Sequence, residues 1–337
     1  MARLIDGLAR KNMGRGRWCP ALTHRAAFVI NGIVAADRHS NATAASGGAP
    51  FSLLMPDVVR LPVLIAVPHA GRAYSAALLS AMRKADETAI RLEDRLADRL
   101  AHDVATQTGA ALLVAHAPRA LIDLNRSPDD VDWGMITGPG TGPGTAFANR
   151  RARSGLGLIP RRLAGVGEIW RGPLPAAELE GRLAEVHEPY HLALAGALDR
   201  IRARWGAALL VDLHSMPPLV ARRDEPAAEF VLGDRFGASC ADTLVDAGLA
   251  YLAAQGRVAA LNRPYAGGYV LDRHGCPRRG THALQLEICR STYLDRQLAE
   301  PSARFPAVVR LIAGLVRMLA DETARLGAGG RLPLTAE

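Results

Sequence analysis

Four short apolar runs of this chain share one pattern, since each leads directly into polar residues that can carry chemistry. Runs of about four to eight apolar residues are typical of buried β-strands. In open α/β folds the ends of parallel strands meet at one edge of the sheet, where ligand sites form. The run at 207–211 is the most informative, because it leads into Asp212, His214 and Ser215. The other three lie at 65–69, 121–126 and 284–287.

Segments with helical periodicity separate these predicted strands. Apolar residues fall on one stripe from Ile90 or Leu92 to Val104, and again along 175–205. Short strands that alternate with helices favour a mostly parallel sheet covered on both faces. We therefore expect an α/β fold, built as a single three-layer domain with a mostly parallel, mixed sheet. The predicted strands are 63–67, 110–115, 120–124, 207–214, 229–232 and 282–290, with further helices at 238–248 and 302–325.

This domain is expected to span residues 51–330. Residues 1–50 are predicted to form a flexible leader, because residues 40–50 are rich in Ser, Ala, Thr and Gly. A long loop is predicted at 134–144, where Gly-Pro and Gly-Thr pairs repeat and disfavour helix and strand interiors. A loop of this length is either a functional lid or a surface insert.

Composition narrows the classes of function. The formal net charge is +8, but the basic residues are scattered and form no stripe with aromatic residues, so a nucleic-acid partner is not expected. No apolar run approaches the ~18 residues that span a bilayer, so membrane insertion is not expected. The four cysteines form no CxxC pair and are expected to be unpaired, which is typical of a reducing compartment. We expect a cytoplasmic protein.

His69 and His214 are candidate metal ligands, because both follow or end a strand pattern and would meet at one sheet edge. Catalytic zinc commonly takes three protein ligands, often two histidines and a carboxylate. The sequence leaves the carboxylate open between Glu93 and Asp94. If the following helix begins early, Asp94 and Asp98 face solvent and pair with neighbouring arginines. If it begins near Glu93, a carboxylate of its first turn can reach the site.

A glutamate and an Asn-Arg pair complete the candidate site. Glu287 interrupts an apolar run, where burial would raise its pKa towards the value that suits a general base. The alternative for Glu287 is an ion pair with Arg290. Asn125-Arg126 closes another run, and the guanidinium fork suits a carboxylate ligand, with an internal pair to Asp123 as the alternative. These residue types point to metal-assisted hydrolysis.

The segment 262–269 is a candidate substrate loop. Gly267 and Gly268 allow the backbone to approach a ligand closely, and Tyr269 follows them. An ordinary turn is the alternative. No GxGxxG, Walker or GxSxG sequence occurs, so nucleotide chemistry and a serine nucleophile lack support.

Six motifs, taken in order, resemble the N-formylglutamate amidohydrolase family from about residue 51 to residue 325. Each motif is weak alone, but the ordered set is specific. They are VPHAGR at 67–72, IDLNR at 122–126, HEPYH at 187–191, DLHSMP at 212–217, NRPYAGGY at 262–269 and QLEI at 285–288. The family is similar in fold to the zinc carboxypeptidases and aspartoacylases, so the resemblance implies a zinc-carboxypeptidase-like fold.

The resemblance implies a zinc-dependent amidohydrolase that cleaves an N-formyl or other N-acyl acidic amino acid. With N-formylglutamate the products would be formate and glutamate, a reaction of histidine degradation. The resemblance implies zinc on His69 and His214, with Asp94 as the best match for the third ligand and Glu93 as the alternate. It also implies that Glu287 is the catalytic base.

A small anionic N-acyl amino acid is the implied partner. Its carboxylate would be held by Asn125 and Arg126, and Arg72 or Arg126 would stabilise the oxyanion. The substrate-binding candidates are Asn125, Arg126, Arg72, Gly267, Gly268 and Tyr269. Two alternatives stay open: a zinc amidohydrolase or carboxypeptidase for another N-acyl amino acid or peptide, and a non-catalytic carboxylate-binding protein. A homo-oligomer is compatible with each of them.

Overall fold

A computed structural model describes residues 48–138, 150–221 and 226–329. The predicted leader falls almost wholly on residues 1–47, which lie outside the described residues. Most of the predicted 134–144 loop also lies outside them, because residues 139–149 are not described. The start of that segment is a 3₁₀ turn at Trp133–Met135 and a short strand at Ile136–Thr137.

The centre of the fold is a seven-stranded mixed sheet. The strands of the described residues are β1 Phe51–Leu54, β2 Val63–Val67, β3 Ala111–Ala115, β4 Ile136–Thr137, β5 Arg162–Leu163, β6 Gly167–Glu168, β7 Leu174–Pro175, β8 Ala208–Met216, β9 Phe230–Gly233, β10 Ala259–Leu261 and β11 Thr281–Cys289. The sheet order is β1-β3-β2-β8-β11-β9-β10. The β1–β3 and β11–β9 pairs are antiparallel and the others are parallel. The predicted mostly parallel, mixed sheet is confirmed.

Helices cover both faces of this sheet. They are α1 Ala76–Ala81, α2 Ala85–Leu92, α3 Ala97–Thr108, α4 Arg150–Arg153, α5 Ala176–Arg182, α6 Glu188–Trp205, α7 Asp242–Ala254, α8 Tyr269–His274, α9 Arg290–Tyr293 and α10 Phe305–Gly329. A π-helical turn, Leu183–His187, joins α5 to α6. The long helical stretch predicted at 175–205 is therefore continuous.

Strand β2 shows how the two hydrophobic layers are separated. Val63, Ile65 and Val67 belong to the cluster that contains the apolar faces of α3, α7 and α10. Leu64 and Ala66 belong to the other cluster, with α5 and α6. All five residues are buried, because successive side chains of a strand point to opposite faces and both faces are covered. The expected three-layer arrangement follows.

The predicted strand at 120–124 is wrong, because these residues form turns and irregular backbone. Ile122 and Leu124 are buried, which explains the apolar run. Their backbone makes no strand ladder: Leu121 N–H donates to the Pro118 carbonyl and Asp123 N–H to the Leu158 carbonyl, both at 2.8 Å. A short apolar run reports burial, and burial does not require a strand.

The apolar stripe from Leu92 to Val104 is also divided in the structure. Helix α2 ends at Leu92 and α3 begins at Ala97. Leu96 has φ 57°, so the chain turns sharply between the two helices. This interruption places Glu93 and Asp94 in a junction instead of a helix.

Among the described residues, no helix is both long and apolar enough to cross a membrane. Cys240 and Cys289 are buried free thiols. Cys276 is disulfide-bonded, so the expectation of unpaired cysteines is wrong for that residue.

Candidate metal centre

Three distant parts of the chain bring two imidazoles and a carboxylate together. His69 follows β2, His214 lies in β8, and Asp94 lies between α2 and α3. The ring centroids of His69 and His214 are 4.8 Å apart. Asp94 Oδ2 is 3.0 Å from His214 Nδ1 and 3.7 Å from His69 Nδ1. One nitrogen or oxygen atom of each residue lies within 4.8 Å of the others, so this group could hold a metal ion.

The helix interruption decides between the two candidate carboxylates. Asp94 N–H donates to the His69 carbonyl at 2.9 Å, which ties the junction to the end of β2. Glu93 turns the other way, and its Oε1 accepts from Arg72 Nη1 at 2.9 Å and Arg95 Nη1 at 3.4 Å. The structure therefore brings Asp94, and not Glu93, to the two histidines.

Each histidine also has a carboxylate at its far ring nitrogen. Asp123 Oδ1 lies 2.7 Å from His69 Nε2, and Asp212 Oδ2 lies 2.9 Å from His214 Nε2. Both aspartates are fully buried. A carboxylate in this position fixes the imidazole and raises its basicity towards a metal ion. With Nδ1 of both rings turned towards Asp94, the donor set fits a divalent cation.

The charges around His214 and Asp94 shift the pKa of both groups. Burial alone would lower the pKa of His214, but the adjacent Asp212 and Asp94 carboxylates raise it well above its usual value. Burial would raise the pKa of Asp94, but hydrogen bonds from His214 and His69 lower it instead. The directions of these two shifts favour a proton on His214 beside the Asp94 carboxylate, and a metal ion bound by His214 would compete with that proton.

Glu287 occupies the neighbouring position across the sheet. It lies in β11, in parallel register with His214 of β8, and is 7 % exposed. Its Oε1 accepts from Gln285 Nε2 at 3.1 Å. Burial raises its pKa to about 7, with opposing contributions from His214, which lowers it, and Asp94, which raises it. Arg290, the alternative partner, instead bonds Ser215 Oγ at 3.1 Å and the Glu93 carbonyl at 2.5 Å.

Asn125 and Arg126 lie beside the centre, held largely by protein groups. Asn125 Nδ2 is 3.4 Å from His214 Nε2, and its Oδ1 accepts from Val270 N–H at 3.0 Å. Arg126 donates through Nε to the Leu156 carbonyl and through Nη1 to the Asn125 carbonyl, both at 2.9 Å. Its Nε is 3.9 Å from Asp123 Oδ2. The internal pairing that the sequence left open is therefore present, although it is long.

The other predicted substrate residues contact different parts of the protein. Arg72 pairs with Glu93 and Asp98. A Cβ on Gly268 would come within 2.4 Å of Asn125 Oδ1, and Gly267 has φ +96°. The 262–269 loop thus packs directly on Asn125. Tyr269 begins α8, and its hydroxyl accepts from Arg273 Nη1 at 2.6 Å.

Sequence reasoning missed Arg119, although it is close to the reacting groups. Its Nε donates to Asp123 Oδ2 at 2.9 Å. Burial would lower the pKa of Arg119, but Asp123, Asp94 and Glu287 raise it. The charges of these three carboxylates therefore all act on one guanidinium. The only sequence signal was its spacing, four residues before Asp123. The pairing of Asp123 with His69 was also missed, because the two residues are 54 positions apart.

The α/β fold brings a buried glutamate and two histidines at or near strand ends together with an aspartate from a helix junction, an arrangement that suits a hydrolase. Residues 61–294 match the family described as N-formylglutamate amidohydrolase. The chain belongs to this family and is an enzyme that hydrolyses an amide bond.

Two relatives and one solved structure illustrate the similarity. N-formylglutamate deformylase from Pseudomonas aeruginosa is 36% identical over 247 residues, which cover 71% of this chain and 84% of that protein. N-formylglutamate deformylase from Pseudomonas putida is 34% identical over 244 residues, 70% of this chain and 83% of that protein. The crystal structure of N-formylglutamate amidohydrolase from Ralstonia eutropha JMP134 superposes with a TM-score of 0.74 at 33% identity, covering 82% of this chain and 99% of that chain.

Proposed function

We propose that this protein is a zinc-dependent N-formylglutamate deformylase. It would hydrolyse N-formylglutamate to formate and glutamate. The observation that supports this most directly is the buried His69–Asp94–His214 group beside Glu287. It occurs in a chain that is 36% identical to a protein named N-formylglutamate deformylase.

His69, Asp94 and His214 would hold the zinc ion. Two nitrogen ligands and one carboxylate are a common donor set for catalytic zinc, which keeps a further position open. When bound, the ion would act as a Lewis acid and lower the pKa of water towards ~7. Asp123 and Asp212 would keep the two imidazoles oriented through their far nitrogens.

Glu287 would move the proton during hydrolysis. Its raised pKa, about 7, suits a group that both accepts and returns a proton near neutrality. Glu287 would take a proton from the water whose oxygen bonds to the formyl carbon. It would then give that proton to the amide nitrogen as the C–N bond breaks. Formate and the free amine of glutamate are the products.

Arg119 would stabilise the oxyanion, in place of the predicted Arg72 or Arg126. Arg72 is occupied by Glu93 and Asp98, and Arg126 donates to two backbone carbonyls. Arg119 is bonded through Nε to Asp123 and is electrostatically coupled to Asp94 and Glu287. A guanidinium fixed before the reaction begins stabilises the charge that develops on the carbonyl oxygen.

Asn125 and Arg126 would bind the substrate carboxylate, together with the backbone of Gly267 and Gly268 and the ring of Tyr269. The packing of this loop on Asn125 supports a shared substrate site. A net charge of +8 would favour the encounter with a dianionic N-formyl amino acid, at a rate that falls as salt increases.

Removal and return of the metal tests the proposed function. Chelator-treated protein should release no formate from N-formylglutamate, and zinc should restore the reaction. An Asp94→Asn variant is the matched control and should not recover. Full turnover by metal-free protein would contradict the zinc proposal. Turnover of N-acetylglutamate or a formyl peptide, with none of N-formylglutamate, would contradict the substrate proposal.

The two arginines should give different kinetic losses. Arg119→Ala should lower kcat by about 10²–10³, the usual loss of one oxyanion donor. The loss should be the same for N-formylglutamate and for an analogue whose carboxylates are replaced by uncharged amides. Arg126→Ala should chiefly raise KM, and only for the substrate that carries the carboxylate. Zinc content measured in both variants controls for disturbance of Asp123. Equal losses for both substrates in Arg126→Ala would reject its carboxylate role.

A further inference from the structure

The segment 124–126 has an unusual source of backbone hydrogen bonds. It lies in a turn and not in a strand, so no neighbouring strand binds its carbonyls. The segment nevertheless carries Asn125, which is buried beside His214. Buried backbone groups need partners, and here side chains from elsewhere in the chain bind the carbonyls of Leu124 and Arg126.

Two histidines at the start of one helix bind the carbonyls of the first and last residues of this segment. His191 Nε2 lies 3.1 Å from the Leu124 carbonyl oxygen. His187 Nε2 lies 3.0 Å from the Arg126 carbonyl oxygen. The two histidines are four residues apart and share a helix face, with ring centroids 4.5 Å apart. His187 closes the π-helical turn Leu183–His187, a feature that is frequent at functional sites.

The hydrogen-bond partners fix the state of each ring. A carbonyl only accepts, so Nε2 of both histidines must carry hydrogen. Nδ1 of neutral His191 is then an acceptor, and His274 Nε2, 3.0 Å away, is its donor. Burial lowers the pKa of His187 and His191, and burial with the nearby charge of Arg273 lowers that of His274 to about 3. At neutral pH the three rings are uncharged.

The bound segment connects to both histidines of the metal centre. Asn125 N–H donates to Asp123 Oδ1 at 2.9 Å, and the same oxygen is 2.7 Å from His69 Nε2. Asn125 Nδ2 approaches His214 Nε2 at 3.4 Å. A shift of the segment would therefore move the groups that contact both metal-site histidines.

We propose that His187 and His191 are positioning residues that hold the 124–126 segment and thereby set Asp123 and Asn125 against His69 and His214. They act through backbone carbonyls, and both side chains are fully buried. For its kinetic consequence this inference rests on the proposed function. Its structural consequence can be measured independently.

Paired substitutions of His187 and His191 separate the effect of the N–H donor from the effect of the imidazole ring. His191→Gln and His187→Gln keep an amide N–H at the position of Nε2, whereas His191→Leu and His187→Leu remove it. If the leucine variants fail to fold, asparagine replaces leucine, because its shorter amide does not reach the carbonyl. His282→Leu is the matched control, since His282 is also buried but accepts from Ala241 N–H at the far end of β11.

Two measurements on the zinc-loaded proteins test the inference. Hydrogen exchange should become faster in the leucine variants at the Asn125 and Val270 amides and stay unchanged in α10. The value of kcat/KM should fall by about 10², the loss that a displacement of ~1 Å can cause. The glutamine variants should recover most of both effects. The control should leave exchange at 124–126 and kcat/KM close to those of the unaltered protein.

Two results would overturn the positioning role. One is unchanged exchange at Asn125 and Val270 in the leucine variants. The other is a glutamine variant as impaired as the leucine variant, with faster exchange throughout the protein, which shows a general packing role. An unaltered protein without deformylase activity contradicts the proposed function alone, and exchange then decides the positioning role.

Discussion

At the scale of single residues, the candidate site consists of shared carboxylates and imidazoles. Asp94 contacts both histidines, while Asp123 and Asp212 each bond one of them. These three aspartates and Glu287 are four buried carboxylates, which would repel one another in a dry interior. Arg119 and the protonated His214 offset that repulsion in the metal-free protein.

Replacement of Glu287 should separate proton transfer from metal binding. Glu287→Gln should lower kcat by about 10²–10⁴, the usual contribution of a general acid–base group, with zinc content unchanged. Glu180→Gln, the same change on the exposed surface of α5, is the control and should have no effect. A near-normal rate in Glu287→Gln would remove the residue from the base role.

The dependence of kcat/KM on pH also tests whether Glu287 is the general base. A general base must be deprotonated, so kcat/KM should fall as pH decreases through the pKa of Glu287. This pKa is about 7, raised from 4.5, and the positive charge of a bound zinc ion would lower it. The acid limb of the unaltered enzyme should therefore have its midpoint between 4.5 and 7, and Glu287→Gln should lose that limb.

At the scale of elements, strand ends and the break between α2 and α3 position the residues of the candidate site. Strands β2, β8 and β11 are neighbours in the sheet, so the end of β2 and the late residues of β8 and β11 lie together. The break between α2 and α3 then places Asp94 against the end of β2. The 262–269 loop covers Asn125 from the side of α8.

A methyl group on Gly268 should disturb this loop. The Cβ would lie 2.4 Å from Asn125 Oδ1, so Gly268→Ala must displace the loop or Asn125, typically at a cost of about 1–3 kcal/mol in stability. We expect a lower kcat/KM for N-formylglutamate with zinc content retained. Gly196→Ala is the control, because nothing lies within 4 Å of its Cβ and alanine favours the α6 helix. Equal kinetics for the two variants would contradict the packing argument.

At the scale of the whole molecule, the candidate metal centre brings together residues that are far apart in sequence. His69, Asp94 and His214 come from different elements around one core. A cation that binds only the folded state stabilises it by about 2.7 kcal/mol at a free concentration of 100 times Kd. Binding of a cation at this site should therefore raise the melting temperature of the whole domain in a single transition.

Calorimetry with and without zinc measures this linkage. Zinc should raise Tm by at least a few degrees, and more at pH 8 than at pH 6. The sign follows from His214, whose pKa is raised in the metal-free protein, so that protons compete with zinc more strongly as pH falls. Asp94→Asn should show little response. The same Tm with zinc and with chelator would argue against a metal site that links these segments.

Several features of the protein could be predicted from its sequence because they depend on local pattern. The buried strands of the sheet centre appear as apolar runs, since a strand covered on both faces is apolar throughout. His69, His214 and Glu287 stand at or near the ends of such runs. The ordered motifs indicated the family, and that membership is confirmed.

Other features were decided by the tertiary structure. The choice of Asp94 over Glu93 depends on a helix break at Leu96, which the continuous apolar stripe concealed. The bond between Asp123 and His69, and the place of Arg119, depend on how the 118–126 turn crosses the sheet edge. Apolar periodicity records which residues are buried, because burial is the main driving force of folding. It does not record which distant polar groups meet, because those contacts depend on the path of the chain between them.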